Sequence, residues 1–288
     1  MIQRNSVDPR DWVTVHNGYI YADNAFPTRS PWPHEPQLLL LKTLGHPDLQ
    51  GPDGSLVRRR FRRDDEIRRK DLALLVYLCV EGVPVHSRGK LAGLLWGESP
   101  EERARHSLTQ ALRRLALVLD PGTVVPDKDA VRWTETLECD ALVLLRAEMK
   151  PEDVDDAFAL YSHGFLEGFY AGPGAEEFHE WADRRQAELR NAALRVLGRA
   201  GEQAESAGQW ARALRLGERA VEIDPVWELG HRRVMRALAA RGEHNVALRY
   251  YRDLVTWLSE KVGAEPDPDT RALAEQLRAT TRRPADPP

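Results

Sequence analysis

An internal repeat in the second half of the chain is the feature that most constrains its fold. The segment GQWARALRLGERAVEID begins at Gly208, and GEHNVALRYYRDLVTWL begins 34 residues later at Gly242. This is the spacing of tetratricopeptide units, pairs of antiparallel helices that cannot bury their apolar faces alone. We therefore expect stacked helices whose shared core contains the residues that match at this offset: Ala213, Leu214, Ala220, Ile223, Ala247, Leu248, Leu254 and Trp257. The groove of such a stack can take a peptide or a second copy of the chain.

Charge divides the chain into a basic and an acidic part. The 288 residues have a formal net charge of −4, yet residues 36–134 carry +4 and residues 135–288 carry −7 when Lys and Arg are counted against Asp and Glu. A chain of this length is expected to hold two domains, each with its own core. We predict an irregular extension at 1–35, a winged-helix domain at 36–136, an all-α repeat domain at 137–283 and a flexible tail at 284–288.

The segment GESPEERARHSLTQALRRLALVLD, residues 97–120, has the periodicity of an amphipathic helix. Ser99 and Glu102 have the spacing of a capping box with Pro100 at the first helical position, and Asp120 opens the Asp-Pro-Gly that is expected to end the helix. The apolar face, expected to be buried, consists of Ala104, Leu108, Ala111, Leu112, Leu115, Val118 and Leu119. The opposite face collects Arg103, His106, Ser107, Gln110, Arg113 and Arg114.

This polar face has two interpretations. A helix surface in water usually mixes Glu and Lys, but no acid occurs here between Glu102 and Asp120. Arg can donate two hydrogen bonds to guanine, Gln can pair with adenine, and Ser or His can bond base edges or the backbone. The composition therefore favours a DNA-contacting face, with an ordinary solvated helix as the alternative.

The elements around this helix follow the order of a winged helix: small sheet, two helices, polar-faced helix, hairpin. Ser87 is expected to cap the second helix, RGKLAGLLW, where it and Arg88 can hold a DNA phosphate. Lys128 at the hairpin tip and Arg132 on its second strand are placed for further phosphates. The predicted fold class is mainly α with a small β part, an N-terminal winged helix-turn-helix domain followed by an all-α tetratricopeptide-like domain.

A second basic run, RRRFRRDDEIRRK at residues 58–70, is less specific. It holds eight Lys or Arg residues and three acids in its middle. A solvated turn before the first helix and a flank that contacts phosphates explain this composition equally well.

Several motifs resemble those of the bacterial transcriptional activator domain proteins, a group that includes the Streptomyces antibiotic regulatory protein family. The resemblance covers roughly residues 36–280. Its most specific parts are the run LLW…ExARxSLxQALxRL, which begins at Leu94, and the run FLEGF…EEFxEW, which begins at Phe165. Two departures stand out, because His106 replaces the small polar residue of many members and the hairpin PDKDAVRW lacks the usual Gly-Tyr.

The resemblance implies a transcriptional activator that binds double-stranded DNA at direct-repeat promoter sites and contacts RNA polymerase. It also implies two copies on the DNA, and thus a homodimer at least there. In related winged helices the loop between the second and third helices makes the activating contact, which points to Trp96 and Glu98 in this chain.

Enzyme and membrane functions find little support in the sequence. His179 and Glu180 lack the second His of HExxH, since position 183 is Asp, and neither GxxxxGK[ST] nor GxSxG occurs. We therefore expect no catalytic activity, no cofactor and no metal site. Cys79 is expected to be an inert core thiol, and with no apolar stretch long enough to span a bilayer we expect a cytoplasmic protein.

A different class of function remains open, a tetratricopeptide adaptor whose winged helix binds protein instead of DNA. The modest total charge of −4 is compatible with it. A DNA-binding protein needs a contiguous positive strip that joins the third helix, the start of the second helix and the wing, whereas an adaptor does not.

Overall fold

The computed structural model describes residues 15–16, 19–20, 39–51, 67–134, 137–149, 161 and 163–282. The chain divides into a unit at residues 1–37 and a unit at residues 38–288. In the first, where we expected an irregular extension, strands β1 (Val15–His16) and β2 (Tyr19–Ile20) pair antiparallel. The predictions for residues 58–66 of the basic run and for the tail at 284–288 lie outside the described residues.

The basic part of the chain has the predicted order of elements. Its elements are β3 (Leu40–Lys42), β4 (Asp48–Gln50), α1 (Arg69–Glu81), β5 (Val85–Ser87), α2 (Arg88–Trp96), α3 (Glu101–Ala116), β6 (Val124–Pro126) and β7 (Ala130–Trp133). Strands β6 and β7 form the wing hairpin, and β5 pairs antiparallel with β7 so that the sheet order is β5-β7-β6. This is the predicted winged helix.

The acidic part is helical, as predicted. After β8 (Glu138–Cys139) its helices are α4 (Asp140–Met149), α5 (Glu176–Ser206), α6 (Trp210–Ile223), α7 (Glu228–Ala240), α8 (His244–Trp257) and α9 (Pro268–Arg282), with a π-helical turn at Leu258–Val262. Of the eight matched positions, Ala213, Ala220, Ala247 and Leu254 are buried. The other four are half-buried: Leu214, Ile223, Leu248 and Trp257. The helical repeat is confirmed, and half of the expected core positions remain partly exposed. No described helix has the length and apolarity needed to cross a membrane.

Helix α1 is enclosed on every side. Its residues 73–80, ALLVYLCV, are all buried. A helix that is apolar all round has no face suited to water and must be covered by neighbours on all sides. Helices α2 and α3 cover part of it, and Trp181 of α5 packs its ring 4.9 Å from that of Tyr77.

The last residue of α1, Glu81, is bound by side chains of α5. The carboxylate of Glu81 accepts hydrogen bonds from Trp181 Nε1 at 2.9 Å and from Arg185 Nη2 at 2.8 Å. Burial opposes the charge of Glu81, but the bonds from Arg185 and Trp181 outweigh it and lower the pKa of this carboxyl. The winged helix and the repeat helices therefore meet through a paired charge beside an aromatic contact.

A buried carboxylate joins the small sheet to the acidic part. Asp140 is 3% exposed, and its Oδ1 accepts from the backbone and hydroxyl of Thr43 at 2.8 and 2.6 Å. Its Oδ2 accepts from the backbone of Leu44 at 3.0 Å. Beside it, β8 runs parallel to β3 with Cys139 opposite Leu41.

The main hydrophobic core extends through both the basic and the acidic part of the chain. One hydrophobic cluster runs from Leu39 through α1–α3 into α5 and α6, and ends at Ala237. The expectation of a separate core for each part is therefore wrong, because α1 and the sheet bury apolar surface against both parts. A second, smaller cluster lies among α7, α8 and α9 around Met235 and Tyr251.

Replacing Asp140 by Ala is expected to destabilise the fold by roughly 3 kcal/mol or more, because several buried donors lose their acceptor at about 1–3 kcal/mol each. Urea unfolding of the full chain measures this loss. The exposed neighbour Glu138→Ala serves as the control and should stay within about 0.5 kcal/mol of the wild type. Equal stability of all three proteins would show that the Asp140 bonds do not hold the two parts together.

Candidate nucleic-acid interface

Helix α3 packs by the predicted apolar face, but its ends differ from the prediction. Its five apolar positions from Ala104 to Leu115 are at most 4% exposed, and Val118 and Leu119 are buried beyond its end. The predicted capping box is wrong, because Pro100 is the N-cap and no side chain caps it. Ser99 instead donates its backbone N–H to Trp96 O at 2.9 Å, which closes the turn before the helix.

The end of α3 also comes before the Asp-Pro-Gly at which we expected it. The helix stops at Ala116, and the backbone N–H of Leu117 donates to the carbonyl of Arg114. The last apolar residues of the predicted stripe thus lie in a turn and still reach the core.

Five of the six predicted residues of the opposite side project outward. Arg103, His106 and Arg113 are exposed, and Ser107 and Gln110 are half-buried. We call these five side chains the polar face of α3. They follow one side of a helix whose other side is fixed in the core, so their direction is set by packing.

Arg114 has a structural role that the sequence did not reveal. Its Nε and Nη2 donate to the two oxygens of Asp71 at 2.6 and 2.7 Å, and the Asp71 side chain is 1% exposed. Asp71 also accepts from the backbone N–H of Arg68 at 3.3 Å, at the start of α1. The sequence assigned only a DNA contact to Arg114, whereas in the structure its guanidinium also fixes α3 to α1.

The start of α2 borders the other edge of the polar face. Ser87 caps α2 as predicted, and its hydroxyl accepts from Lys90 N at 3.5 Å. Arg88 donates from Nη2 to the hydroxyl of Thr109 on α3 at 2.6 Å, and its backbone N–H donates to the wing carbonyl of Asp129 at 3.0 Å. Arg88 thereby ties α2, α3 and the wing together.

The two cations predicted for the wing, Lys128 and Arg132, are both exposed to solvent. Lys128 is exposed in the turn between β6 and β7, where the backbone N–H of Asp127 donates to Ala130 O at 2.8 Å. Arg132 lies 3.5 Å from the Asp127 carboxylate, with both side chains more than half exposed. An exposed pair of this length contributes little stability, so Arg132 is available to another anion.

A groove of about 570 Å³ separates the polar face from the start of α1. Its α3 side is formed by His106, Ser107 and Gln110. Arg68 and Arg69 form the opposite side. The sequence missed this arrangement because periodicity identifies the outward face of a helix but not the neighbour that borders it.

The loop between α2 and α3 is held by the acidic part of the chain. Lys70 donates from Nζ to Leu95 O at 2.5 Å and to Pro173 O at 2.7 Å, and lies 5.5 Å from the centre of the Trp96 ring. Gly97 donates its backbone N–H to Gly174 O at 2.8 Å. Burial lowers the pKa of Lys70, with Glu176 and Glu98 acting in the opposite direction. Trp96 is half-buried and Glu98 is exposed.

Two side chains that the sequence analysis considered for metal or thiol chemistry, His179 and Cys79, lie in the described part of the chain. No three His, Cys, Asp or Glu side chains there are grouped as a metal site would require. His179, considered for a metalloprotease motif, instead accepts the backbone N–H of Ala171 at Nε2 and stacks on Tyr170. Cys79 is buried, as predicted.

Comparisons with known proteins bear on both parts of the chain. The model of the bacterial transcriptional activator domain family matches residues 139–278, which confirms the resemblance seen in the sequence for that part of the chain. The fold is similar to that of EmbR from Mycobacterium tuberculosis, solved in complex with a low-affinity phosphopeptide. That match has 19% identity and a TM-score of 0.60, and covers 87% of this chain and 67% of that chain. Sequence comparison with curated proteins gave no match.

Substitution of the two adjacent arginines of α3 is expected to have different effects on the stability of the fold. Arg114→Ala leaves the buried Asp71 carboxylate without its ion partner, and such a loss costs about 3–5 kcal/mol. Arg113→Ala removes an exposed side chain and should stay within about 0.5 kcal/mol of the wild type. Thermal and urea unfolding compare the two variants, and equal stability of both would contradict the structural role of Arg114.

Proposed function

We propose that the chain is a sequence-specific DNA-binding transcription regulator that acts as an activator, because residues 139–278 match the model of the bacterial transcriptional activator domain family. The observation that carries the proposal is the polar face of α3, which is outward, free of acids and presented by a winged helix. The family match and the shared fold support transcription regulation. DNA binding by this face is our proposal.

We assign base contacts to the residues of the polar face. With α3 in the major groove, Gln110 can pair with adenine and Arg113 can donate two hydrogen bonds to guanine. His106 and Ser107 can bond base edges or nearby phosphates, and Arg103 lies toward the start of the helix. Packing of the apolar face fixes the helix orientation, so these contacts are made without reorganisation of the backbone.

Phosphate contacts are assigned to the α2 start and the wing. Ser87 and Arg88 lie at the start of α2, where backbone N–H groups favour an anion. Lys128 and Arg132 lie on the wing, and a phosphate can replace the weak partner of Arg132. Because Arg88 also bonds Thr109, its removal affects the position of α3 as well as the phosphate contact.

The activating contact with RNA polymerase is assigned to the α2–α3 loop. Glu98 is exposed there and can meet a basic surface of the polymerase. Trp96 lies half-buried near Lys70 and holds the loop in place rather than presenting a free ring. Binding at direct repeats would bring two copies of the chain side by side on promoter DNA, as a homodimer at least there.

Selection of bound duplexes from a random pool tests the proposal, with the full chain at about 0.15 M salt. A direct repeat of short half-sites is expected. Gln110→Ala or Arg113→Ala should reduce the base preference at one position of the half-site by about 1–3 kcal/mol. Lys128→Ala should instead weaken binding to all DNA sequences alike. Absence of any enriched motif would contradict the proposal and favour a protein-binding adaptor.

Glu98→Lys is expected to abolish activation while leaving operator affinity unchanged, because the residue is exposed in the loop and outside the polar face. In vitro transcription and DNA binding by the same preparation measure the two properties. Glu102→Lys, on the first turn of α3 beside the polar face, is the matched charge reversal and should change DNA affinity. Parallel loss of activation and DNA binding in Glu98→Lys would contradict the assignment to polymerase.

A further inference from the structure

The groove between α1 and α3 contains cations that the proposed DNA contacts leave unused. Arg68 and Arg69 are exposed at the start of α1 and line the groove across from Ser107 and Gln110. In the described part of the chain no carboxylate forms an ion pair with either guanidinium. The nearest acid in sequence that the structure describes, Asp71, is occupied by Arg114 on the groove wall.

The polar face is framed by cations on both edges. Thr109, just outside one edge, is bonded to Arg88, while Arg114, beside Ser107 near the other edge, is bonded to α1 through Asp71. At 100° per residue these two positions lie about 140° apart around α3, and His106, Gln110 and Arg113 lie between them. The α2 start and wing therefore border one edge, and the α1 start with its two arginines borders the other.

A helix in the major groove has a phosphate backbone on each side of it, across a width of about 12 Å. The α2 start and the wing serve one backbone in the proposed complex. In that complex the basic groove would face the other backbone, because Ser107 and Gln110 of the polar face line it together with Arg68 and Arg69. A phosphodiester carries the charge and the acceptor oxygens that two guanidinium groups bind best.

Resting on the proposed function, we propose that Arg68 and Arg69 form a second phosphate clamp, which binds the DNA backbone on the α1 side of α3. This clamp fixes the register of α3 in the groove and carries no base preference of its own. Of the two explanations for the basic run that ends at Lys70, the proposal takes the phosphate-contacting flank for these two residues.

The dependence of DNA affinity on salt concentration measures how many phosphate contacts the clamp makes. Each phosphate contact that is lost lowers the steepness of log K against log salt by about 0.9. The double variant Arg68→Gln/Arg69→Gln is therefore expected to reduce the slope by about 1–2 and to weaken the selected operator and unrelated duplexes alike. The sequence motif obtained by selection should stay the same.

The control is Arg249→Gln/Arg252→Gln, which removes the same charge from exposed positions of α8. It should leave the slope unchanged. Ethylation interference gives a second readout, because a phosphate whose ethylation blocks the wild type should be tolerated by the α1 variant. Both arginines are exposed, so the melting temperature of the α1 variant should equal that of the wild type.

An unchanged slope and an unchanged ethylation pattern in the α1 variant would overturn the clamp while leaving the proposed function intact. A changed base motif would also overturn it, since the clamp is assigned to phosphates alone. A wild-type chain that selects no motif would instead remove the proposed function itself. The two failures are therefore distinguishable.

Discussion

The burial of α1 on all its sides is the constraint on which the rest of the structure depends. The run ALLVYLCV offers no face to water, and a winged helix alone leaves one side of it uncovered. The repeat helices supply that cover through Trp181, while Glu81 pairs with Arg185 at the border. Asp140 adds a fully bonded carboxylate between the sheet and α4. The basic and acidic parts thus share one core.

This shared core has a direct consequence for the proposed DNA contacts. Helix α1 holds α3 through the Asp71–Arg114 pair, and Lys70 links the end of α2 to Pro173 of the acidic part. The orientation of the polar face and the position of the α2–α3 loop therefore both depend on the repeat helices.

The sequence predicted what periodicity determines and the cap at Ser87, but it misplaced both ends of α3 and missed what depends on partners distant in the chain. The apolar face of α3, the Ser87 cap and the 34-residue repeat follow local rules and were confirmed. Arg114 looked like its neighbour Arg113 until the distant Asp71 was located. Arg233 is a stronger case: it is fully buried against Gly198 O, and a Cβ at Gly201 would collide with it. No periodic pattern distinguishes such an arginine from a surface residue.

The central claim is that α1 makes the winged helix and the repeat helices one folding unit. Differential scanning calorimetry of the full chain tests it most directly. The account predicts a single transition in which the calorimetric and van't Hoff enthalpies agree, since neither part can retain its core without the other. Two separable transitions, with the winged helix melting independently of the repeat helices, would contradict it.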